Sequence, residues 1–131
     1  MASLKQAADS DVKEIVCSEV RKVFETKGES FEAVSSVSFT VRSGEFVSLL
    51  GPSGCGKSTL MMMVGGLESI TGGSVEVAGQ PVTKPSVDYG IMFQDPMLLP
   101  WKSALDNVLF PIDMMRKRRA DYLGRARELH A

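Results

Sequence analysis

Residues 49–60, Leu-Leu-Gly-Pro-Ser-Gly-Cys-Gly-Lys-Ser-Thr-Leu, have the residue types and spacing of a phosphate-binding loop. Gly51 and Gly56 are separated by four residues, and Lys57 and Ser58 follow directly. Glycines permit backbone conformations that turn successive N–H groups toward phosphate oxygens. The lysine ammonium would neutralise the terminal phosphates, and the serine hydroxyl is a hard oxygen ligand for Mg²⁺. The stretch therefore predicts a site for a nucleoside triphosphate.

Such a loop needs a strand before it and a helix after it. Residues 45–50 form a short apolar run that predicts a buried strand. From Lys57 the chain lacks proline, which predicts a helix to about Gly66 whose N-terminus adds its positive dipole end. The alternative for the same residues is a glycine-rich turn that holds no ligand.

The composition is that of a soluble domain. The chain is 44% apolar and 24% charged with a formal net charge of −1, so its composition indicates neither disorder nor a strong attraction to nucleic acid. No segment approaches the roughly 18 consecutive apolar residues of a membrane span. Residues 1–11 are polar and lack the apolar centre of a signal peptide, so a cytosolic protein with a loose N-terminal tail is expected. Cys17 and Cys55 form no metal-ligand cluster, and we expect no disulfide.

The remaining elements follow from alternation, turn residues and caps. The predicted strands are residues 12–26, 37–41, 74–78 and 89–93, with turns at 27–30, 43–44, 71–73 and 79–80. From Ser103 the pattern becomes helical, because Ser103 and Asp106 have the spacing of a capping box. We expect a break at Pro111 and then a mostly helical, basic segment to the end.

Three other features have ordinary structural explanations. The methionines at 61–63 favour core packing over soft-metal binding, since consecutive helical residues point in different directions. The arginines and lysine at 116–119, with Arg125 and Arg127, are interspersed with acidic residues and favour a solvated helix face over a nucleic-acid patch. His130 is expected to be a surface histidine.

Three phrases of the sequence resemble the nucleotide-binding subunit of ATP-binding cassette (ABC) importers, and the third looks most like the nitrate, sulfonate and taurine branch. They are GEFVSLLGPSGCGKSTL, GLESITGGSVEVAGQPV and FQDPMLLPWKSALDNVLFP. The resemblance runs from about Glu14 to the last residue and covers the first half of the family's domain. It implies an α/β P-loop NTPase fold of the ABC ATPase type, incomplete, with an antiparallel β-subdomain and the start of the helical subdomain. The implied division is a flexible tail at 1–11, an ATP-binding core at 12–102 and a truncated helical subdomain at 103–131.

The resemblance also implies site residues. Those of the Walker A loop around ATP would be Gly51, Pro52, Ser53, Gly54, Cys55, Gly56, Lys57, Ser58 and Thr59. Gln94 would be the Q-loop glutamine, which in the family meets Mg²⁺ and the attacking water; its amide can both donate and accept. Lys57 and Gln94 are thus the implied catalytic residues, and Ser58 and Gln94 the implied metal ligands. Phe24 would stack on the adenine ring, and Phe31 is the alternative.

These residues do not supply a carboxylate ligand for Mg²⁺, which a P-loop ATPase needs beside the serine hydroxyl. Asp95 is the only candidate after an apolar strand, no acid follows it directly, and its phrase fits the Q-loop better. The family's Leu-Ser-Gly-Gly-Gln signature is also absent from these 131 residues. We therefore expect this chain, taken alone, to bind ATP without hydrolysing it. A non-hydrolysing nucleotide-binding or docking fragment is one alternative. A small P-loop kinase or GTPase is a weaker one, because neither an acceptor lid nor Asn-Lys-x-Asp is found.

The partners and location are likewise implied by the resemblance. Family members couple ATP hydrolysis to import of a small solute such as nitrate, sulfonate or taurine. The implied partners are a transmembrane permease subunit and a second ATP-binding subunit, with no nucleic acid. The chain would be peripheral on the cytoplasmic face of the inner membrane. The apolar run at 97–101, with Trp101 as an anchor, would face the permease. The alternative for this run is a loop folded onto its own core.

Overall fold

The computed structural model describes residues 14–95 and 97–130, except for the side chain of His130. In chain order the elements are β1 (Ile15–Thr26), β2 (Glu29–Val41), α1 (Lys57–Val64), β3 (Gly72–Val77), β4 (Gln80–Pro81), α2 (Ala104–Met114), a 3₁₀ turn (Arg119–Asp121) and α3 (Leu123–His130). The predicted tail at 1–11 lies outside the described residues. The chain divides into two compact units, with the boundary between Ile91 and Met92.

The first unit is built on an antiparallel four-stranded sheet in the order β2-β1-β3-β4. This sheet confirms the antiparallel β-subdomain that the family resemblance implies. Strands β1 and β2 form a hairpin whose two turn residues, Lys27 and Gly28, have φ of 45° and 90°. Two positive φ angles give the turn a twist that matches the paired strands. The turn is shorter than the predicted 27–30, because Glu29 and Ser30 already pair with β1.

The core of this unit lies between the sheet and α1. Its buried members are Cys17, Val20, Val34, Leu60, Met63 and Val75. Of the three methionines, only Met63 faces the sheet, at 1% exposure, whereas Met61 and Met62 are 50% and 36% exposed. The expectation that all three fill the core is therefore wrong for two of them. Residues one position apart on a helix point about 100° apart, so one stripe alone can be buried.

Two of the predicted strands do not form. Residues 45–50 and 89–93 have no strand structure, and Phe46, Leu50 and Met92 are 93%, 91% and 98% exposed. A strand needs a neighbour that takes up its N–H and C=O groups. All pairings of the described sheet are among β1 to β4, and none involves either segment. Both segments are apolar, as a buried strand would be, but a segment without a pairing neighbour does not form a strand.

The second unit contains the helices. The Ser103 Oγ accepts a hydrogen bond from the Asp106 N–H at 3.1 Å, which confirms the predicted cap of α2. The predicted break at Pro111 is wrong: α2 runs through it to Met114, and the Pro111 carbonyl accepts from the Met115 N–H at 3.0 Å. Proline removes one donor from a helix but leaves its own carbonyl available to the next turn. Helices α2 and α3 pack together, with Leu109 and Ala126 buried.

Arg119 ties the 3₁₀ turn to α2. Its guanidinium donates to Asp106 at 2.7 Å and lies 2.9 Å from Asp113. The hydrogen bond from Ser103 is the largest cause that holds the pKa of Asp106 below its ordinary value, and the bond from Arg119 is the next. Within the basic segment this arginine is thus engaged by carboxylates of its own unit. Within the described ranges, no helix is long and apolar enough to cross a membrane.

Candidate functional site

The loop at 51–56 adopts a conformation that requires glycine. Gly54 and Gly56 have φ of 81° and 88°, in the left-handed region. Gly51 has a different constraint, since a Cβ there would come within 2.6 Å of the Cys55 sulfur. The Cys55 N–H points back to the Pro52 carbonyl oxygen at 3.4 Å, which closes the loop on itself. The glycines at these positions therefore let the backbone take a tight path that side chains would block.

Gly56 also sets the loop against the sheet. A Cβ at this position would overlap the Ala33 carbonyl oxygen of β2 and come within 3.0 Å of the Val34 Cγ2. Gly56 is the N-cap of α1, so this close approach brings the start of the helix onto the strand backbone. The sheet therefore fixes where the N-terminus of α1 lies.

The N-terminus of α1 is open to an anion. No side chain caps it, and its first turn carries no acidic residue. The first N–H groups of a helix lack partners within the helix and carry partial positive charge. Ser58 is exposed and Thr59 half-buried in this first turn. A phosphate group is a suitable partner for such a helix end.

Lys57 folds back over the loop. Its ammonium donates to the carbonyl oxygens of Gly51 at 2.8 Å and Pro52 at 2.6 Å, and lies 3.5 Å from the Cys55 sulfur. The ammonium is therefore held by backbone carbonyl oxygens of the loop itself. An ammonium has three donors that it can redirect, so phosphate oxygens could replace these carbonyls as acceptors. The lysine ammonium, the glycine turns and the uncapped helix end thus lie together in one loop.

The two candidate stacking residues stand side by side on the β1–β2 hairpin. Phe24 and Phe31 are direct partners in the antiparallel register, and they are 37% and 63% exposed. Partners of this kind place their side chains on the same face of the sheet. Because both rings are available on one face, the choice between them stays a prediction.

Lys22 is a buried charge that the sequence analysis missed. It is 5% exposed, and its ammonium donates to Glu68 Oε1 at 2.6 Å, to the Ser69 carbonyl at 2.8 Å and to Ser69 Oγ at 3.1 Å. The bond from Lys22 is the largest cause that holds the pKa of Glu68 below its ordinary value. The ammonium also lies 4.7 Å from the centroid of the Phe24 ring. The sequence does contain a signal for this burial: Lys22 alternates with Val20 and Phe24 along β1, which predicts that its side chain faces inward.

The remaining candidates are Gln94, the apolar run at 97–101 and the two cysteines. Gln94 is exposed in a bend that begins the second unit, and its role beside the phosphates stays a prediction. Trp101 is 76% exposed, and Met97 and Leu98 are both 69% exposed, so this run is not folded onto its own core. Among the described residues, no three His, Cys, Asp or Glu side chains are grouped to hold a metal ion. Cys17 and Cys55 are free thiols, the first buried and the second exposed.

Comparisons with known proteins agree with this geometry. A family model described as "ABC transporter" matches residues 34–131. The chain is similar to the bicarbonate transport ATP-binding protein CmpD of Synechocystis sp., with 42% identity over 107 residues, which is 82% of this chain and 38% of that protein. It is also similar to the taurine import ATP-binding protein TauB of Burkholderia pseudomallei, with 40% identity over 111 residues, 85% of this chain and 43% of that protein. The chain thus spans about two fifths of these curated relatives.

The fold of this chain is also similar to that of a solved structure. It is the ATP-binding cassette MJ0796 in a dimeric post-hydrolysis state bound to ADP and Pi. The TM-score is 0.74 at 30% identity, and the match covers 87% of this chain and 54% of that one. The antiparallel sheet and the helices described above therefore match those of an ABC cassette.

Proposed function

We propose, from the premise that this chain belongs to the ABC transporter family, that it binds ATP through residues 51–59 as the ATP-binding part of an importer. The observation that carries the proposal is the Lys57 ammonium, held at 2.8 Å and 2.6 Å from two carbonyl oxygens of a glycine loop. The uncapped N-terminus of α1 supports it, because the helix end and the ammonium offer positive charge to the same ligand.

The residues of the loop fit a triphosphate with Mg²⁺. Gly51 and Gly56 allow the tight path of the loop, because a Cβ would meet the Cys55 sulfur at Gly51 and the Ala33 carbonyl oxygen at Gly56. Lys57 would neutralise the β and γ phosphates, and the exposed Ser58 hydroxyl would be an oxygen ligand of the metal. Gln94 would be the second, amide ligand beside the attacking water. When bound, Mg²⁺ would draw charge from the phosphate oxygens.

The adenine end of the nucleotide is assigned to the β1–β2 hairpin. Phe24 is the proposed stacking residue, with Phe31 as the alternative. A base stacked on an aromatic ring contributes about 1 to 3 kcal/mol. Lys22 would hold one face of the Phe24 ring, which leaves the other face for a ligand.

We propose that the transporter to which this subunit contributes couples ATP hydrolysis to import of a small solute such as nitrate, sulfonate or taurine. The names of the two curated relatives, for bicarbonate and taurine, support a small anion or zwitterion as the solute class. The proposed partners are a transmembrane permease and a second ATP-binding subunit, and a dimeric cassette among the similar structures supports the second. The proposed location is the cytoplasmic face of the inner membrane, and the proposed division remains 1–11, 12–102 and 103–131.

The 131-residue chain assayed alone is expected to bind nucleotide without steady turnover. Hydrolysis needs a carboxylate near Mg²⁺, and Asp95 directly after Gln94 is a poor candidate for it. The alternative function, a nucleotide-binding or docking module that does not hydrolyse, makes the same prediction for the isolated chain. Turnover at about 1 to 1,000 per second that depends on Lys57 would contradict this expectation.

Nucleotide binding is tested by ligand stabilisation. Mg-ATP at a hundredfold excess over Kd should raise the free energy of unfolding by about 2.7 kcal/mol. Lys57→Ala should abolish this gain, because it removes the ammonium from the loop. Lys84→Ala, at an exposed lysine outside the loop, is the control and should retain it. A thermal shift that survives Lys57→Ala would refute the assignment of the loop.

Docking on the permease is tested at Trp101. Its exposed ring is a natural anchor for a helix of an apolar partner. Trp101→Ala should weaken binding to the permease, whereas Met114→Ala, at a 68% exposed methionine of α2, should not. Equal binding by the parent and Trp101→Ala would refute docking through residues 97–101 while leaving ATP binding intact.

A further inference from the structure

The loop that carries Trp101 is a β-turn with a defined shape. The Lys102 N–H donates to the Leu99 carbonyl at 3.0 Å, which closes the turn around Pro100 and Trp101. Proline is favoured at the second position of such a turn because its ring sets φ in advance. Trp101 therefore occupies the third position and stands outward at 76% exposure.

The Asn107 side chain holds this turn from α2. Its Oδ1 accepts from the Leu99 N–H at 2.8 Å. Its Nδ2 donates to the carbonyl oxygens of Leu99 at 3.2 Å, Lys102 at 3.2 Å and Ser103 at 3.0 Å. One amide thus contacts both ends of the turn and the residue that caps the helix. A side-chain amide suits this place because its oxygen accepts from one backbone group while its NH₂ donates to the others.

We propose that Asn107 is the positioning residue for Trp101, holding it ready for a partner at the tip of a preformed turn; this rests on the proposed docking role of residues 97–101. An exposed indole on a mobile loop would lose its freedom on binding, and ordering of this kind opposes association. With the turn fixed from α2, the part of that freedom that comes from the backbone is already lost in the free protein. The hydrogen bonds from Asn107 therefore increase the rate and the affinity of docking, although Asn107 does not contact the partner.

Trp101 is the single tryptophan of the chain, so it reports on its own turn. In time-resolved fluorescence anisotropy, Asn107→Ala should increase the fast, local motion of the indole. Ser103→Ala is the matched control, because it removes the helix cap but keeps the Ser103 carbonyl that Asn107 uses. Far-UV circular dichroism of both variants gives the loss of helix that each causes.

A third variant separates the hydrogen bonds from the bulk of the side chain. Asn107→Asp keeps the shape but turns an oxygen toward three carbonyl oxygens, so the turn should loosen at pH 7. Protonation of the new carboxyl at lower pH returns one donor, so the motion of Trp101 should decrease on acidification. Asn107→Ala should show no such decrease. A role in packing alone predicts no difference in pH response between the two variants.

Permease binding by the full chain completes the test. Asn107→Ala should weaken binding by about tenfold, the factor expected from ordering a side chain and its turn on association. Unchanged indole motion in Asn107→Ala, or an equal increase in Ser103→Ala, would overturn the positioning role. If Trp101→Ala leaves permease binding unchanged, the docking role of residues 97–101 is wrong. Failure of the docking role can therefore be distinguished from failure of the positioning role of Asn107.

Discussion

Gly56 can be tested by comparison with Gly54, a second glycine of the same loop. Both have positive φ, 88° and 81°, so alanine at either one is strained by about 1 to 2 kcal/mol. Only at Gly56 would the new Cβ overlap the Ala33 carbonyl oxygen, a backbone atom of β2 that cannot rotate away. At Gly54 nothing lies within 4 Å of the new methyl group.

The expected magnitudes follow from these two environments. Gly54→Ala should cost about 1 to 2 kcal/mol of stability from strain alone. Gly56→Ala should cost about 2 to 5 kcal/mol, because overpacking a tight contact adds about 1 to 3 kcal/mol to the same strain. The difference between the variants isolates the contact between the start of α1 and β2.

The assay must report on the first unit, where Cys17 is 2% exposed in the core. Labelling of Cys17 in increasing urea, read by mass spectrometry of its peptide, gives the unfolding midpoint of that unit. The midpoint of Gly56→Ala should be clearly lower than that of Gly54→Ala. If the two variants unfold at the same urea concentration, the close approach of loop and sheet described above is wrong.

Two further predictions concern thiols and pH. Alkylation of the exposed Cys55 should be blocked by saturating Mg-ATP. Cys17 should label slowly with or without nucleotide, because burial raises the pKa of its thiol. Equal labelling of Cys55 with and without nucleotide would show that the loop does not enclose phosphate. The pKa of Glu68 lies below its ordinary 4.5 mainly because of the Lys22 hydrogen bond, so its stabilising contribution is present above pH 4.5 and is lost as the pH falls below that value. Thermal unfolding between pH 7 and 3 should therefore depend less on pH in Glu68→Gln than in the parent; identical profiles would contradict the ion pair.

Contiguous residues were enough for the local features of this protein. The spacing of glycines and Lys57 predicted the phosphate-binding loop, whose role stays a prediction but whose left-handed glycines and folded-back lysine suit it. Ser103 and its capping partner predicted the start of α2, and alternation at 37–41 and 74–78 predicted parts of β2 and β3. Caps, turns and glycine conformations depend on neighbours within a few residues, so their cause is visible in the sequence.

Tertiary structure decided what depends on distant partners. Residues 45–50 and 89–93 have strand-like composition but no strand, because pairing is a property of two segments and not of one. Lys22 is buried because Glu68 and Ser69, far along the chain, supply its acceptors. The sequence by itself determined the chemistry that each segment can offer. Which backbone groups and charges find a partner was decided only when the chain brought distant segments together.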